Sequence, residues 1–338
     1  MNPLRLTSVL PATLLLGACL AAHATTYRVT PLADSGSCAA INANGTTVGS
    51  SRIGFGEYDR SAWIATPRGK LRTVHGAGAD DAWTGNAINA SRMVAGTVVY
   101  EKTFGFHYAA AWAPDGTKRQ LPQLADGASS ALGINDAGDV VGEAPGANGL
   151  THPMMWTADR VVDLAPDRWF GYARSVNGRR QAVGVVIDAP HQPSQAALFD
   201  NGTVTLLGTL GGRSSEATDI NEAGHVVGYS DIADNGWLAH PFIYADGVMR
   251  DLGAPRGVRA LPSAINNHDV VVGVLVIPND TWPSRAVIWR HGRMQALNDV
   301  LDPVSGTGWQ LWDALDINDD GLVCAWGNLG AALLTPMK

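Results

Sequence analysis

Internal repetition constrains this chain more than any other feature. A unit in which an apolar residue precedes Asn, and Gly or once Ala follows seven residues after it, recurs along the 338-residue sequence. The Asn residues lie 42–52 residues apart, about 46 on average, at Asn42, Asn89, Asn135, Asn177, Asn221, Asn266 and Asn318. A period of this length predicts an array of supersecondary units that bury their apolar faces against one another.

Each unit carries the pattern of four short strands. Small residues before the Asn predict an innermost strand, and a tight turn such as Glu222-Ala223-Gly224 leads into a second strand. An aromatic residue such as Trp112 marks the third strand, and another tight turn leads into the fourth. The 39 Gly and 18 Pro residues also suit a turn-rich β protein better than a helical one.

The two ends of the array decide between a ring and an open stack. Residues 27–32 have the pattern of a fourth strand with nothing before it, and residues 331–335 that of a third strand with nothing after it. We therefore predict an all-β, seven-bladed β-propeller of four-stranded blades, whose last blade joins residues 314–335 to residues 27–32. A parallel β-helix is the alternative, but an open stack needs polar caps at both ends.

The first 24 residues predict an export signal. Arg5 is their only charge, an apolar run follows it, and Ala22-His23-Ala24 has the small-x-small pattern of a cleavage site. Removal of residues 1–24 leaves a single propeller domain, residues 25–338, which we expect to be secreted or periplasmic. Leu16-Gly17-Ala18-Cys19 resembles a bacterial lipoprotein cleavage box, so lipidation of Cys19 and anchoring to a membrane remain open.

Charge and cysteine content narrow the possible partners. The net charge is −7 without a basic stripe, which argues against a nucleic-acid partner, and no later segment is apolar for long enough to span a membrane. Cys38 and Cys324 lie in the first and seventh copies, which are neighbours in a closed ring. They predict either a disulfide across the junction of the ends or two small buried residues.

Catalytic motifs are absent from the sequence, and no metal ligand, cofactor or catalytic residue is predicted. The turns within strand pairs are tight and repetitive, whereas the remaining connections vary and share one face of the predicted disc. We predict that tryptophans in these connections bind a ligand. They are Trp83, Trp169, Trp237, Trp282, Trp309 and Trp312. The alternative is that several of them fold under the loops as anchors.

The fifth copy carries a family resemblance. Its sequence LGTLGGRSSEATDINEAGHVVGYS, residues 207–230, resembles the HAF-family extracellular repeat proteins. The His-Ala-Phe tripeptide of that family occurs in altered form as His152-Pro153-Met154 and His240-Pro241-Phe242. The resemblance covers nearly the whole predicted mature chain and implies an exported repeat protein without an established catalytic signature.

Together these patterns favour an exported, non-catalytic binding or scaffold protein. The expected partner is an extracellular glycan or protein, gripped by the variable face. Two alternatives remain open at this point. One is a propeller enzyme, a lyase or hydrolase that uses acidic and His residues at the mouth of the central channel. The other is a structural surface protein whose flat faces stack.

Overall fold

The computed structural model describes residues 25–34, 36–52, 60–73, 81–100, 107–232, 238–278 and 284–337. Within these residues, 28 β-strands form seven antiparallel four-stranded sheets, and one 3-10 turn spans Leu297–Val300. Each sheet packs on the next through a separate buried cluster, so the sheets are the blades of a closed ring. The predicted seven-bladed β-propeller is confirmed.

The first four blades follow the chain in order, each running from the central axis outward. Blade 1 is β2 (Ser37–Ile41), β3 (Thr47–Arg52), β4 (Arg60–Ala65) and β5 (Leu71–Thr73). Blade 2 is β6 (Asp81–Ile88), β7 (Val94–Tyr100), β8 (His107–Trp112) and β9 (Lys118–Gln120). Blade 3 is β10 (Ser130–Ile134), β11 (Val140–Pro145), β12 (Thr151–Trp156) and β13 (Val161–Asp163). Blade 4 is β14 (Phe170–Val176), β15 (Ala182–Ile187), β16 (Gln195–Asp200) and β17 (Thr203–Leu206).

The last three blades include the one that is built from both ends of the chain. Blade 5 is β18 (Ser215–Ile220), β19 (Val226–Asp231), β20 (Ala239–Ala245) and β21 (Val248–Asp251). Blade 6 is β22 (Arg259–Ile265), β23 (Val271–Val276), β24 (Ser284–Arg290) and β25 (Arg293–Ala296). Blade 7 is β26 (Leu311–Ile317), β27 (Val323–Gly327), β28 (Gly330–Pro336) and, outermost, β1 (Tyr27–Ala33).

Closure of the ring follows the prediction made from the chain ends. Strand β1 pairs antiparallel with β28, with Val29 opposite Leu334. A disulfide joins Cys38 of blade 1 to Cys324 of blade 7, with Cα atoms 5.7 Å apart. At the corresponding junction of blades 4 and 5, Val183 and Ala217 pack in one apolar cluster. The disulfide therefore replaces a contact that is purely apolar elsewhere.

Every innermost strand contains a β-bulge at the same place. The register shifts between the residues four and two positions before the repeated Asn, which leaves the residue between them outside the ladder. These seven residues line the central channel: Ala39, Asn86, Leu132, Arg174, Thr218, Ser263 and Leu315. The repeat thus directs one side chain from every blade toward the axis, and their chemistry differs from blade to blade.

The seven repeated Asn side chains form a closed circle of hydrogen bonds on one face, named here the turn face. Each Nδ2 donates to the backbone carbonyl of the next Asn around the ring at 2.8–3.2 Å, and Asn318 completes the circle by donating to Asn42. Each Oδ1 accepts a bond from the backbone N–H four residues ahead. One buried side chain therefore shapes its own turn and joins two blades. The opposite face, where the variable connections lie, is named the loop face.

Candidate functional site

Trp83 belongs to the core, which corrects the expectation that it lies in an exposed connection. Strand β6 begins at Asp81, so Trp83 lies within the strand and only 1% of it is exposed. Its ring stacks on Trp112 of the same blade, with centroids 4.1 Å apart and planes 25° apart. A ring in this position fills the junction between blades and offers no surface to a ligand.

The other predicted tryptophans occupy different environments. Trp169, 39% exposed, lies on the loop face just before β14, beside Phe170. Trp309 is partly buried and packs on the cluster that joins blades 6 and 7, which is the anchoring role considered above. Trp237 and Trp282 lie outside the described residues.

Trp312 is brought together with a tryptophan that the sequence reasoning treated as structural. Trp312 on β26 and Trp326 on β27 are both partly exposed, and their rings meet edge to face with centroids 5.0 Å apart. They form one wall of a groove of about 480 Å³ between blades 7 and 1. Small and polar residues complete the groove: Asp34, Gly36, Ser37, Ser50, Ser51 and Asn328. We name it the seam groove.

A departure from the repeat explains why this groove lies in blade 7. In the other six copies the glycine seven residues after the Asn faces a backbone carbonyl, and a Cβ there would lie 1.9–2.3 Å from that oxygen. Blade 7 has Ala325 at this position. Strand β26 accommodates the methyl group with a second register shift, between Leu311 and Asp313, beside the bulge common to all blades. Trp312 is the extra residue at this second shift and has no opposite residue in the ladder.

The seam groove adjoins the central channel. The channel is a cavity of about 520 Å³ lined by the innermost strands of all seven blades. Ser37 and Leu315 line both spaces. A ligand that lies on the tryptophan pair would therefore be separated from the channel by these two side chains. Cavities of a few hundred cubic ångströms with an aromatic wall and a few polar groups are typical of small-molecule and sugar sites.

Two partly buried carboxyl groups face the channel, and both are bonded to the neighbouring blade. Asp219 accepts hydrogen bonds from the backbone N–H of Ile265 and the hydroxyl of Ser175. Asp316 accepts one from the backbone N–H of Ile41. Burial raises the pKa of Asp219 to about 6, and burial together with the Asp219 charge raises the pKa of Asp316 to about 8. Their bonds assign them a role in joining blades 5 to 6 and 7 to 1.

A second polar cluster lies at the loop-face mouth of the channel. The hydroxyl of Tyr229 donates to the carboxylate of Glu216, and Arg174 from the neighbouring blade lies 3.8 Å from that carboxylate. Burial and the adjacent Glu216 charge raise the pKa of Tyr172, which completes the cluster. Burial also raises the pKa of Tyr229, while the positive charges of Arg174 and Arg259 act in the opposite direction. The cluster therefore combines one carboxylate with two guanidinium groups.

The histidines of the altered tripeptides serve the blades themselves. His152 is buried, and its Nδ1 lies 2.7 Å from Asp163 on the outer strand of the same blade. His240 makes the equivalent contact with Asp251 at 2.8 Å. Both pairs hold a third strand to a fourth, away from the axis. No group of three or more His, Cys, Asp or Glu side chains suited to a metal ion occurs among the residues that the structure describes.

Sequence reasoning did not select Trp326 of the seam groove, or Arg174, Glu216 and Arg259 of the polar cluster, as site residues. The sequence places Trp326 just after a second strand, which suits a structural role, and it gives Glu216 and Arg259 the pattern of solvated loop charges, while Arg174 was not singled out. A signal was present in the alignment of the copies, because six have Gly where the seventh has Ala325. Within the described part of the chain, no helix has the length and apolar character needed to cross a membrane.

Comparisons with known proteins agree on the architecture. The β-propeller domain of the Trilobed protease from Pyrococcus furiosus, described as having an open velcro topology, matches with a TM-score of 0.58 at 9% identity, over 87% of this chain and 91% of that one. YCF48 bound to D1 peptide matches at 0.53 and 12% identity, over 93% and 98%. A streptogramin B lyase matches at 0.53 and 11% identity, over 92% and 98%.

Sequence comparison adds no family. No protein-family model matches the chain, and no curated protein matches it. The matched structures include a peptide-bound protein and a lyase, so at these identities they show a shared fold and no shared function. The chain is thus similar to known β-propellers in architecture alone.

Proposed function

We propose that this chain is an exported, non-catalytic binding protein that recognises a glycan in the seam groove. The observation that carries the proposal is the pair of partly exposed tryptophans, Trp312 and Trp326, on the wall of a 480 Å³ groove. The C–H face of a sugar ring packs well on a flat aromatic ring, and an edge-to-face pair offers such a surface in two orientations. The groove therefore has the main element of a carbohydrate site.

The polar residues of the groove support the same choice. Asp34, Ser37, Ser50, Ser51 and Asn328 surround the tryptophan pair. Their side chains supply both donors and acceptors for sugar hydroxyls. A protein partner would need a broader contact area than a groove of this size provides. A glycan is therefore preferred to a protein partner.

Export is proposed on separate grounds. The segment of residues 1–24 lies outside the described residues, and so does Cys19, the candidate for lipidation. The bond between Cys38 and Cys324 suits an oxidising compartment outside the cytoplasm. The resemblance of residues 207–230 to HAF-family repeats supports a secreted or periplasmic location.

The enzyme alternative rests on Asp219 and Asp316, whose raised pKa values and shared channel resemble an acid–base pair. Against it, each carboxyl group already accepts hydrogen bonds from backbone amides. Carboxyl groups held in this way are poorly placed to exchange protons with a substrate. A binding role is therefore preferred.

Alanine substitution of the tryptophan pair tests the proposal. Trp312→Ala and Trp326→Ala should each reduce retention on a glycan array at least about tenfold, because each removes one stacking surface. Trp169→Ala is the matched control, since Trp169 lies on the same face outside the groove, and it should bind like the wild type.

Two results would overturn the proposal. One is equal glycan retention by the wild type and both groove variants, with far-UV circular dichroism showing that all are folded. The other is release of shortened sugars from a bound oligosaccharide, lost in Asp316→Asn, which would favour the enzyme.

A further inference from the structure

The rings of Trp312 and Trp326 meet as a corner in the seam groove. Their planes are 89° apart with centroids 5.0 Å apart, and both side chains line the groove. The face of a tryptophan ring carries partial negative charge and attracts cations, and cages of aromatic rings bind ammonium ligands in this way. The wall therefore suits a positively charged group as well as the C–H face of a sugar.

The charge of the groove wall has one sign. Asp34 is the only ionisable residue among those that line the groove in the described part of the chain. It is exposed, and no hydrogen bond or ion pair joins its carboxylate to another described residue. The other polar side chains of the wall are uncharged: Ser37, Ser50, Ser51 and Asn328. Among the described residues of the wall, a ligand therefore meets a carboxylate and no cation.

A second carboxyl group lies on the same side of blade 7. Cys324 and Trp326 are two positions apart on β27, so both face blade 1, as the disulfide to Cys38 requires. Asp313 is directly opposite Trp326 in the ladder, and residues opposed in this way project to the same face of a sheet. Asp313 therefore faces blade 1 from beside Trp326.

The carboxyl group of Asp313 is incompletely paired. Its Oδ1 is buried and accepts no hydrogen bond from the residues that the structure describes. Buried polar atoms in folded proteins are nearly always paired, so this oxygen calls for an explanation. Burial raises the pKa of Asp313 to about 7, so the group is partly ionised at neutral pH. Asp313 does not line the groove, so it acts on a bound cation through its charge rather than by contact.

Blade 5 shows how an acidic residue at this position is paired elsewhere in the ring. Glu216 lies five residues before the repeated Asn, as Asp313 does, and is opposite Tyr229. The hydroxyl of Tyr229 donates to Glu216, and Arg174 of blade 4 lies 3.8 Å from the carboxylate. In blade 7, Trp326 takes the place of the tyrosine, and no cation of the described residues pairs with Asp313. An ammonium group carried by a ligand would supply the missing positive charge.

We infer that the glycan of the seam groove is an amino sugar, which packs on the tryptophan corner and directs its ammonium group to Asp34. This inference rests on the proposed function and names the substrate class of that same site. Asp34 and both tryptophans line one groove of about 480 Å³, so a short oligosaccharide reaches all three. Asp34 accepts a charge-assisted hydrogen bond from the ammonium group, and Asp313 attracts the same charge at longer range.

Calorimetric titration with two matched probes tests the inference. One probe is a short β-1,4-linked oligomer of glucosamine. The other is the glucose oligomer of the same length and linkage, which has a hydroxyl in place of each amine. At about pH 6 and low salt the amines are protonated, and the wild type should bind the glucosamine oligomer at least about tenfold more tightly. Trp312→Ala should weaken the binding of both probes.

Substitutions of single carboxyl groups locate the preference. Asp34→Asn should remove most of it and leave the affinity for the glucose oligomer unchanged, which also shows that the variant is folded. Asp313→Asn should reduce the preference by a smaller factor, because Asp313 acts without contact. Asp320→Asn is the matched control, since Asp320 is exposed in the turn after Asn318, on the opposite face of blade 7. The same change in charge there should leave the preference intact.

Equal affinity of the wild type for the two probes, or a preference that survives Asp34→Asn, would overturn the inference and leave glycan binding in place. Failure of both probes to bind would also overturn it. The proposed function is decided separately by the glycan array, where retention that depends on Trp312 and Trp326 would uphold it even if neither probe binds.

Discussion

Blades 5 and 7 follow the same repeat and differ at its glycine. Both end their innermost strand in Asp-Ile-Asn and both place an aspartate in the channel. Blade 5 has Gly228 against the carbonyl of Glu216, and β18 has a single register shift. Blade 7 has Ala325, β26 has two shifts, and Trp312 projects into a groove. One additional methyl group thus accompanies a change from an inner strand with one register shift to an inner strand with two shifts that borders the seam groove.

The comparison separates the residues that hold the ring together from the residues that differ between its blades. Residues present in every copy, such as the Asn circle, join blades and leave no surface for a ligand. Residues that differ between copies lie at the bulges, in the channel and on the loop face. Functional residues are therefore expected at positions where one repeat differs in sequence from the other repeats. Four experiments test this division.

The largest loss of stability is expected on removal of the disulfide between Cys38 and Cys324, which has no equivalent at blade 5. Cys38→Ala combined with Cys324→Val should lower the free energy of unfolding by about 4 kcal/mol, since the disulfide spans 286 residues of sequence. Valine restores the apolar contact that other junctions have, so the loss reports the covalent constraint. Urea denaturation measures it, and a loss below about 1 kcal/mol would mean that β1 alone secures the ring.

The glycine position comes next. Gly228→Ala should cost about 3 kcal/mol of stability, because its Cβ would lie 2.0 Å from the carbonyl oxygen of Glu216. Ala325→Gly in blade 7 should cost about 1 kcal/mol or less, as the strand there already accommodates the methyl group. Thermal unfolding of the two variants measures the difference. Equal losses would contradict the link between Ala325 and the second register shift.

Loss of a member of the Asn circle should lower the stability of the protein by the same amount in blade 5 and in blade 7. Asn221→Ala and Asn318→Ala should each cost about 2 kcal/mol, because each removes the bond from Nδ2 to a carbonyl of the next blade and leaves a part-buried backbone N–H without its acceptor. Asn44→Ala is the control, since this exposed side chain also donates to the next blade, at Ala90, and it should cost less than about 1 kcal/mol. A clear inequality between Asn221 and Asn318 would show that the circle is not uniform.

The two channel aspartates, together with Asp313 of β26, should make the protein more stable in mild acid. Burial raises the pKa of Asp219 to about 6 and that of Asp313 to about 7, and burial with the Asp219 charge raises that of Asp316 to about 8, from ordinary values of 3.8. Because the folded state holds these protons more tightly, their contribution is fully present below pH 3.8 and is lost as pH rises through about 6 to 8.

Melting temperatures between mild acid and mild alkali measure this effect. They should fall as pH rises, and Asp316→Asn should flatten the upper part of the profile more than Asp219→Asn does, since Asp316 titrates at the higher pH. A profile that rises with pH over this range, or one that Asp316→Asn leaves unchanged, would contradict the assignment.

The ring was predictable from the sequence because the repeat and the incomplete ends are both visible in it. The hydrogen bonds between blades were not predictable, because the role of the repeated Asn in its own turn is enough to explain why it recurs. Only a radial arrangement brings its Nδ2 to the next carbonyl. Trp83 was misplaced because β6 begins earlier than the repeat suggests. Trp326 was overlooked because exposure within a strand depends on the neighbouring blade, here Ser50 and Ser51.

The hydrogen bonds of the Asn circle all run the same way, each blade donating to its successor and the last to the first. The circle of hydrogen bonds on that face is therefore unbroken at blade 7, where the two ends of the polypeptide meet. Moving the termini to the connection between any two blades, on the loop face, would leave every member of the circle with its donor and its acceptor. The junction of blades 7 and 1 therefore differs from the other junctions only in the disulfide and on the loop face. On the turn face its hydrogen bond is the same as at every other junction.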